Sequence, residues 1–216
     1  MEVYEYGKSE SSNILIQMVD DHDLEVIGEE VSAIKELAGD DLRLLAVKVD
    51  RWNHDLSPWN AAAVFGNEGF GDGADKTLTE ILGLTADGKK NYYIGGYSLA
   101  GLFALWAVYQ TNTFAGVAAA SPSIWFPGFL DYMKEHTIRT EKVYLSLGDR
   151  EEKTRNPVMA TVGDRIREAH DLLAECGTVC TLEWNQGNHF KEPDLRTAKA
   201  FAWLLSEVSK KRVGES

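Results

Sequence analysis

The stretch NYYIGGYSLAGLFALWAVY, residues 91–109, decides how the rest of the chain is read. NYYI has the aromatic and β-branched content of a buried strand, and residues 99–110 form a helix with no polar face. Between them GGYSLAG, residues 95–101, sets one serine, Ser98, among small residues. A strand that runs straight into a helix through a sharp turn lifts the side chain at the turn clear of the sheet. Side chains two residues before and after that serine would collide, and here they are Gly96 and Ala100. This is the context a nucleophile elbow requires. The helix starting at Leu99 points its unpaired backbone donors back at the serine, so the Leu99 N–H is the first candidate to hold an oxyanion. The plain alternative is a glycine-rich turn in which Ser98 only caps the helix. A dinucleotide-binding turn fits less well, because the segment is not GxGxxG and follows the third strong strand rather than the first.

Residues 91–130 contain no Asp, Glu, Lys or Arg, and a run of that length raises a membrane span. Its glycines and the polar QTNT that follows favour a buried strand, turn and helix instead. The 216 residues are 44% hydrophobic, enough for one substantial core, and the expected organisation is a single domain over 1–216. A net charge of −12 gives no general attraction to nucleic acid or to anionic lipid, so neither is expected as a partner. MEVYEYGKSE has no basic stretch followed by an apolar one, and Cys176 and Cys180 are spaced C-G-T-V-C, unlike a zinc pair. They read as free thiols, and the expected location is cytoplasmic.

Strands are expected at 13–19, 42–49, 91–94, 114–121, 142–147 and 180–184. Helices are expected from Ile27 to Gly39 and at 74–84, 99–110, 127–135, 158–175 and 193–209. Asp20–Asp23 reads as a polar loop. The long segment 50–74, rich in Gly, Asn and aromatics, reads as a functional loop. Helix faces are expected from Ile27, Val31, Ile34 and Leu37, and from Leu195, Ala198, Phe201, Leu205 and Val208. The alternation predicts an α/β fold, a mostly parallel sheet with helices on both faces. Ligands in such a sheet sit beyond the carboxyl ends of the strands, so functional residues should follow strands directly.

Several do. His189, in NQGNHF, follows the sixth strand and is the favoured base for Ser98. His22 and His54 follow the first two strands and are lesser candidates, while His136 and His170 read as surface residues. The imidazole needs a carboxylate to fix its tautomer. After the fifth strand, GDREE supplies Glu151, the favoured acid, with Glu152 and Asp149 as alternatives. The order Ser98, Glu151, His189 is nucleophile, acid, base.

In these elements the sequence resembles the α/β-hydrolase superfamily, and more closely the esterase D-like and siderophore-esterase-like proteins. GGYSLAG resembles that family's serine elbow, SPSIW (121–125) the segment after its next strand, LGDREE its acid loop and GNHF its histidine loop. The resemblance implies a minimal α/β-hydrolase fold with no cap domain. It also implies a serine esterase acting on a small-molecule carboxylic ester through an acyl-enzyme, without cofactor or metal. A thioesterase or peptidase-like acyl hydrolase, or a non-catalytic ligand-binding or scaffolding domain, are the alternatives. Two features depart from the family. The elbow carries Ala100 where glycine is common. The first strong strand ends MVDDHD, without the glycine that helps build the oxyanion hole, leaving the Asp21 or His22 N–H as the second donor. Trp52, Trp59, Trp125, Arg51 and Tyr97 are the candidate pocket residues. Association between copies of the chain is left open.

Overall fold

Five of the seven strands are buried along most of their length, and both faces of the sheet they form are covered. The computed structural model describes residues 1–213, with side chains through Ser206. In chain order the elements are β1 (Glu2–Gly7), β2 (Asn13–Val19), α1 (Asp21–Ala38), β3 (Arg43–Lys48), α2 (Trp52–Asp55), α3 (Ala74–Leu82), β4 (Asn91–Tyr97), α4 (Leu99–Gln110), β5 (Phe114–Ala120), α5 (Phe129–Glu135), β6 (Lys142–Gly148), α6 (Val162–Glu175), β7 (Val179–Asn185) and α7 (Pro193–Val213). The strands form one sheet in the order β1-β3-β2-β4-β5-β6-β7. All neighbours are parallel except β1, which pairs antiparallel with β3 along the edge.

Strand periodicity divides the core in two. Ile14, Ile16 and Met18 of β2 face a layer containing residues of α3, α4, α5 and α6. Leu15 and Val19 face the other layer, built with α1 and α7. Helix α4 is buried on every side from Leu99 to Tyr109, which is why the chain around it carries no charge. Among the described residues, no helix is long and apolar enough to cross a membrane.

Three local expectations are corrected. Asp20–Asp23 is not a loop. Asp20 caps α1, its carboxylate accepting from the Asp23 N–H, while the Asp23 carboxylate accepts from the Asp20 N–H. This reciprocal pair, with acidic charge at the positive end of the helix dipole, starts α1 immediately after β2. Strand β4 continues through Gly95–Tyr97, so the turn is tighter than expected. On α7 the inward face is Arg196, Thr197, Ala198, Ala200, Phe201, Leu204 and Leu205, and Leu195 is exposed, as is Leu37 in the last turn of α1. The side chain of Val208 lies outside the described residues.

Chain order reverses direction across the sheet at β2: β3 is added on one side of it and β4 on the other. The crevice beyond the carboxyl ends of β2 and β4 is therefore the topological switch point, where ligands bind in open α/β sheets. The segments leaving these two strands are the start of α1 and Ser98.

Candidate active site

Ser98 lies between β4 and α4 at φ 55°, ψ −118°, a conformation that costs a residue with a Cβ about 1–3 kcal/mol. The surroundings hold it there. Its N–H donates to the Ala120 carbonyl at 3.1 Å, and its own carbonyl accepts from Leu102 and Ser123. A Cβ on Gly96 would sit 2.6 Å from the Ala100 Cβ, and one on Gly101 2.9 Å from the Gly96 carbonyl oxygen. The elbow closes only with small residues at these places. Alanine at position 100 fits because its methyl occupies the space glycine leaves at 96.

The Ser98 Oγ is 3.0 Å from His189 Nε2, and His189 Nδ1 is 2.7 Å from Glu151 Oε2. An ionised carboxylate only accepts hydrogen bonds, so Nδ1 carries the proton and Nε2 is left to accept from the Ser98 hydroxyl. The other Glu151 oxygen, Oε1, accepts from the Gly148 N–H at 2.7 Å, the Ser121 hydroxyl at 2.8 Å and Arg196 Nη1 at 2.8 Å. Burial by itself would raise the Glu151 pKa. The hydrogen bond and charge of His189, with the bonds from Gly148 and Ser121, overcome that and hold it below the ordinary glutamate value.

The remaining carboxylates of this loop do other things. The Asp149 carboxylate accepts from the Gly187 N–H at 2.8 Å and ties the acid loop to the histidine loop. Glu152 faces away, 3.8 Å from Arg167. Neither meets the imidazole, because consecutive residues leaving β6 point in different directions and only Glu151 turns back beneath His189. Tyr97, the last residue of β4, donates its hydroxyl to the His189 carbonyl at 2.7 Å. Burial, then the nearby Glu151 charge, pushes that phenol up to about 12, so it remains a donor.

A cleft of about 320 Å³ opens above Ser98 and is lined by Asp20, His22, Asp23, Trp52, Tyr97, Ser98, His189, Phe190 and Pro193. Of the expected pocket residues it contains Trp52 and Tyr97. Trp59 is elsewhere, packed among Phe126, Phe129 and Tyr132 with its indole N–H donating to the Pro127 carbonyl. Trp125 is buried against Phe65 and Phe70 and borders a niche of about 20 Å³ behind His189 and Glu151. Arg51 pairs with Asp55 at 2.7 Å and borders a separate polar groove. Loop aromatics pack wherever apolar surface is nearest, and sequence order does not distinguish the cleft from the outer face of the sheet.

The His22 imidazole lines the cleft but is exposed and 3.6 Å from Glu25, and His54 is engaged with Asp55 at 2.9 Å, so the imidazole hydrogen-bonded to Ser98 is that of His189. The backbone at this point is different. Helix geometry leaves the N–H groups of Asp21 and His22 unpaired in the first turn of α1, as it does that of Leu99 in α4. The Asp21 side chain itself is drawn off to Lys48 at 2.7 Å. Burial pushes Asp23 up to about 6, assisted by the Asp20 charge and opposed by the hydrogen bond from Asp20.

Three functional neighbours have no role of their own in the sequence reading: Ser121 and Ser123 of SPSIW, the latter with its hydroxyl 3.3 Å from that of Ser98, and Arg196. For Arg196 there was a signal, an arginine on the face of α7 that continues one turn later into Ala200 and Leu204.

No protein-family model matches the chain, and no curated protein does. Solved structures do. The siderophore hydrolase EstA from Aspergillus nidulans is similar with a TM-score of 0.69 at 17% identity, over 95% of this chain and 94% of that one. An IroE-like serine hydrolase from Shewanella oneidensis is similar with a TM-score of 0.76 at 12% identity, over 95% of this chain and 75% of that one. The enterobactin esterase FES from Shigella flexneri is similar with a TM-score of 0.65 at 14% identity, over 95% of this chain but only 55% of that one. At these identities the likeness establishes the fold.

Proposed function

We propose that this chain, an α/β-hydrolase by fold, is a serine hydrolase that cleaves small carboxylic esters. One observation carries the reading: an unbroken run of hydrogen bonds from Ser98 Oγ through His189 to Glu151, starting at a serine held in a strained turn. Strain and convergence of this kind are not needed by a helix cap, and Ser98 makes no side-chain capping bond.

In the proposed reaction His189 Nε2 takes the Ser98 proton as Oγ attacks the ester carbonyl. Glu151 stabilises the imidazolium that forms. The Leu99 N–H and an N–H from the first turn of α1, Asp21 or His22, hold the tetrahedral oxyanion; the first turn of a helix leaves such donors without an intrahelical partner. His189 then protonates the leaving alcohol. Water, activated by the same nitrogen, attacks the acyl-enzyme and releases the acid. The cleft of about 320 Å³ suits a small acyl or alcohol group. Its lining carries two carboxyl side chains, Asp20 and Asp23, and no lysine or arginine, which favours neutral or cationic esters over anionic ones. The names of the similar structures, a siderophore hydrolase, a serine hydrolase and an esterase, agree with the reaction class. A single domain in a reducing, cytoplasmic setting completes the reading, supported by the two free thiols, Cys176 and Cys180.

The test is a fluorophosphonate probe on wild-type protein and Ser98→Ala, with the adduct mapped by peptide mass spectrometry. One adduct on Ser98, absent from the variant, is expected. A folded wild-type protein that neither labels nor turns over activated acetyl esters would sink the proposal.

A further inference from the structure

Arg196 is 2% exposed, a rare setting for a guanidinium. Its Nη1 lies 2.8 Å from Glu151 Oε1, 3.1 Å from the Tyr97 hydroxyl and 3.2 Å from Ser121 Oγ. Its Nη2 lies 3.0 Å from the Asn188 carbonyl and 3.4 Å from that of Gln186. These groups belong to the acid loop, the strand that ends at Ser98, the turn after β5 and the histidine loop. We propose that Arg196 is a positioning residue of the triad, holding Glu151 as a carboxylate with Oε2 turned to His189 and fixing the histidine loop above it. The proposal rests on the serine-hydrolase reading.

The physical need is specific. The Glu151 side chain is only 4% exposed. A buried carboxylate keeps its charge only when paired and hydrogen-bonded. If it were to take up a proton, its O–H would compete with acceptance from His189 Nδ1 and the tautomer would be lost. A buried ion pair is weak evidence for stability, since apolar replacements are often as stable. Every contact of this guanidinium instead falls on residues that place the triad. The planar fork reaches two loops at once, which a lysine ammonium does not do. The backbone aims it there: Glu192, at φ 53°, reverses the chain directly after the histidine loop, and its carbonyl accepts from the Arg196 N–H. Arg196 therefore lies one turn into α7, pointing back beneath His189.

The experiment compares wild type, Arg196→Met, Arg196→Lys, Glu151→Gln and Arg196→Met/Glu151→Gln. Circular dichroism checks folding. The readouts are kcat and KM on p-nitrophenyl acetate and the low-field proton resonance of the His189 Nδ1–H. Arg196→Met is expected to lose about 100-fold in kcat, the scale of a small misplacement of a catalytic group, with KM little changed and the resonance lost. Arg196→Lys should restore part of kcat and the resonance. In the Glu151→Gln background, Arg196→Met should cost no more than about twofold, because the carboxylate it serves is already gone. A folded Arg196→Met with wild-type kcat and resonance overturns the proposal, as does an undiminished loss in the Glu151→Gln background. Should Arg196→Met not fold, Arg196→Lys decides: about a tenfold loss in kcat at constant KM supports it, and wild-type kcat overturns it. Failure of the hydrolase reading has a separate signature, a wild-type protein inert to fluorophosphonate whose resonance still depends on Arg196.

Discussion

Glu151→Gln preserves size and removes one hydrogen-bond acceptor, and the surroundings dictate which one. The Oε1 position receives donors from Gly148, Ser121 and Arg196 at 2.7, 2.8 and 2.8 Å. An amide NH2 placed there would face three donors, so the amide oxygen must occupy it. The NH2 is then forced to the Oε2 position, 2.7 Å from His189 Nδ1, where it donates. Nε2 must in turn carry the proton and point it at Ser98 Oγ, 3.0 Å away. The histidine is locked in the tautomer that cannot accept. The expected loss in kcat is about 10⁴-fold, roughly 5 kcal/mol of transition-state stabilisation, as when a triad aspartate is replaced by its amide. Arg196 also loses its buried counter-charge, at a cost of about 3 kcal/mol, or about 10 °C in Tm for a domain of this size. Activity is read from p-nitrophenyl acetate turnover and from the rate of fluorophosphonate labelling, and stability from thermal melting. A folded Gln variant within about tenfold of wild-type kcat would refute the tautomer argument, since one decade is too little for an inverted base.

Gly96→Ala should destabilise by about 1–3 kcal/mol and slow labelling of Ser98, because its methyl meets that of Ala100 and a φ of 158° disfavours a Cβ; adding Ala100→Gly should recover only the part due to the methyl contact, read by Tm and labelling rate. Asp23 is an acid whose folded value, about 6, lies above its ordinary 3.8, so it favours the fold at low pH and that contribution is lost as pH rises from about 4 through 6. Asp23→Asn, whose amide oxygen still accepts from the Asp20 N–H, should gain on the order of 2–3 kcal/mol over wild type at pH 8 and nothing near pH 3, seen in denaturant unfolding at both pH values. Succinyl esters should be turned over about 100-fold less efficiently than neutral esters of like size at low salt, the scale of one unit-charge interaction about 6 Å away near a surface. The gap should shrink in 0.5 M salt and in Asp20→Asn; equal rates for both esters at low salt would remove charge from the specificity of the cleft.

The elbow could be read from the chain because its determinants are contiguous: strand, two glycines, serine, small residue and helix occupy residues 91–110, and local sterics leave few ways to join them. The sheet was legible for a similar reason, since strands buried on both faces announce themselves as apolar runs. The start of α1 was also written locally, in the Asp20 and Asp23 pair, but three acidic residues beside a histidine look equally like a solvated loop. The choice among Asp149, Glu151 and Glu152 was not local. It depends on which carboxylate the turn after β6 directs toward a histidine 38 residues farther on. The aromatics of residues 50–74 could not be sorted for the same reason, since Trp52 borders the cleft and Trp59 packs on α5 although seven residues separate them.

By itself the sequence determined the α/β alternation, the serine turn and the order nucleophile, acid, base, because each strand, turn and candidate residue is marked by its own short segment. Only the tertiary structure decided which carboxylate serves His189, that Arg196 lies buried beneath both, and that the start of α1 faces Ser98. These are convergences of side chains and helix ends from distant segments. They follow from parallel strands placing their carboxyl ends side by side, a geometry that exists only once the sheet has formed.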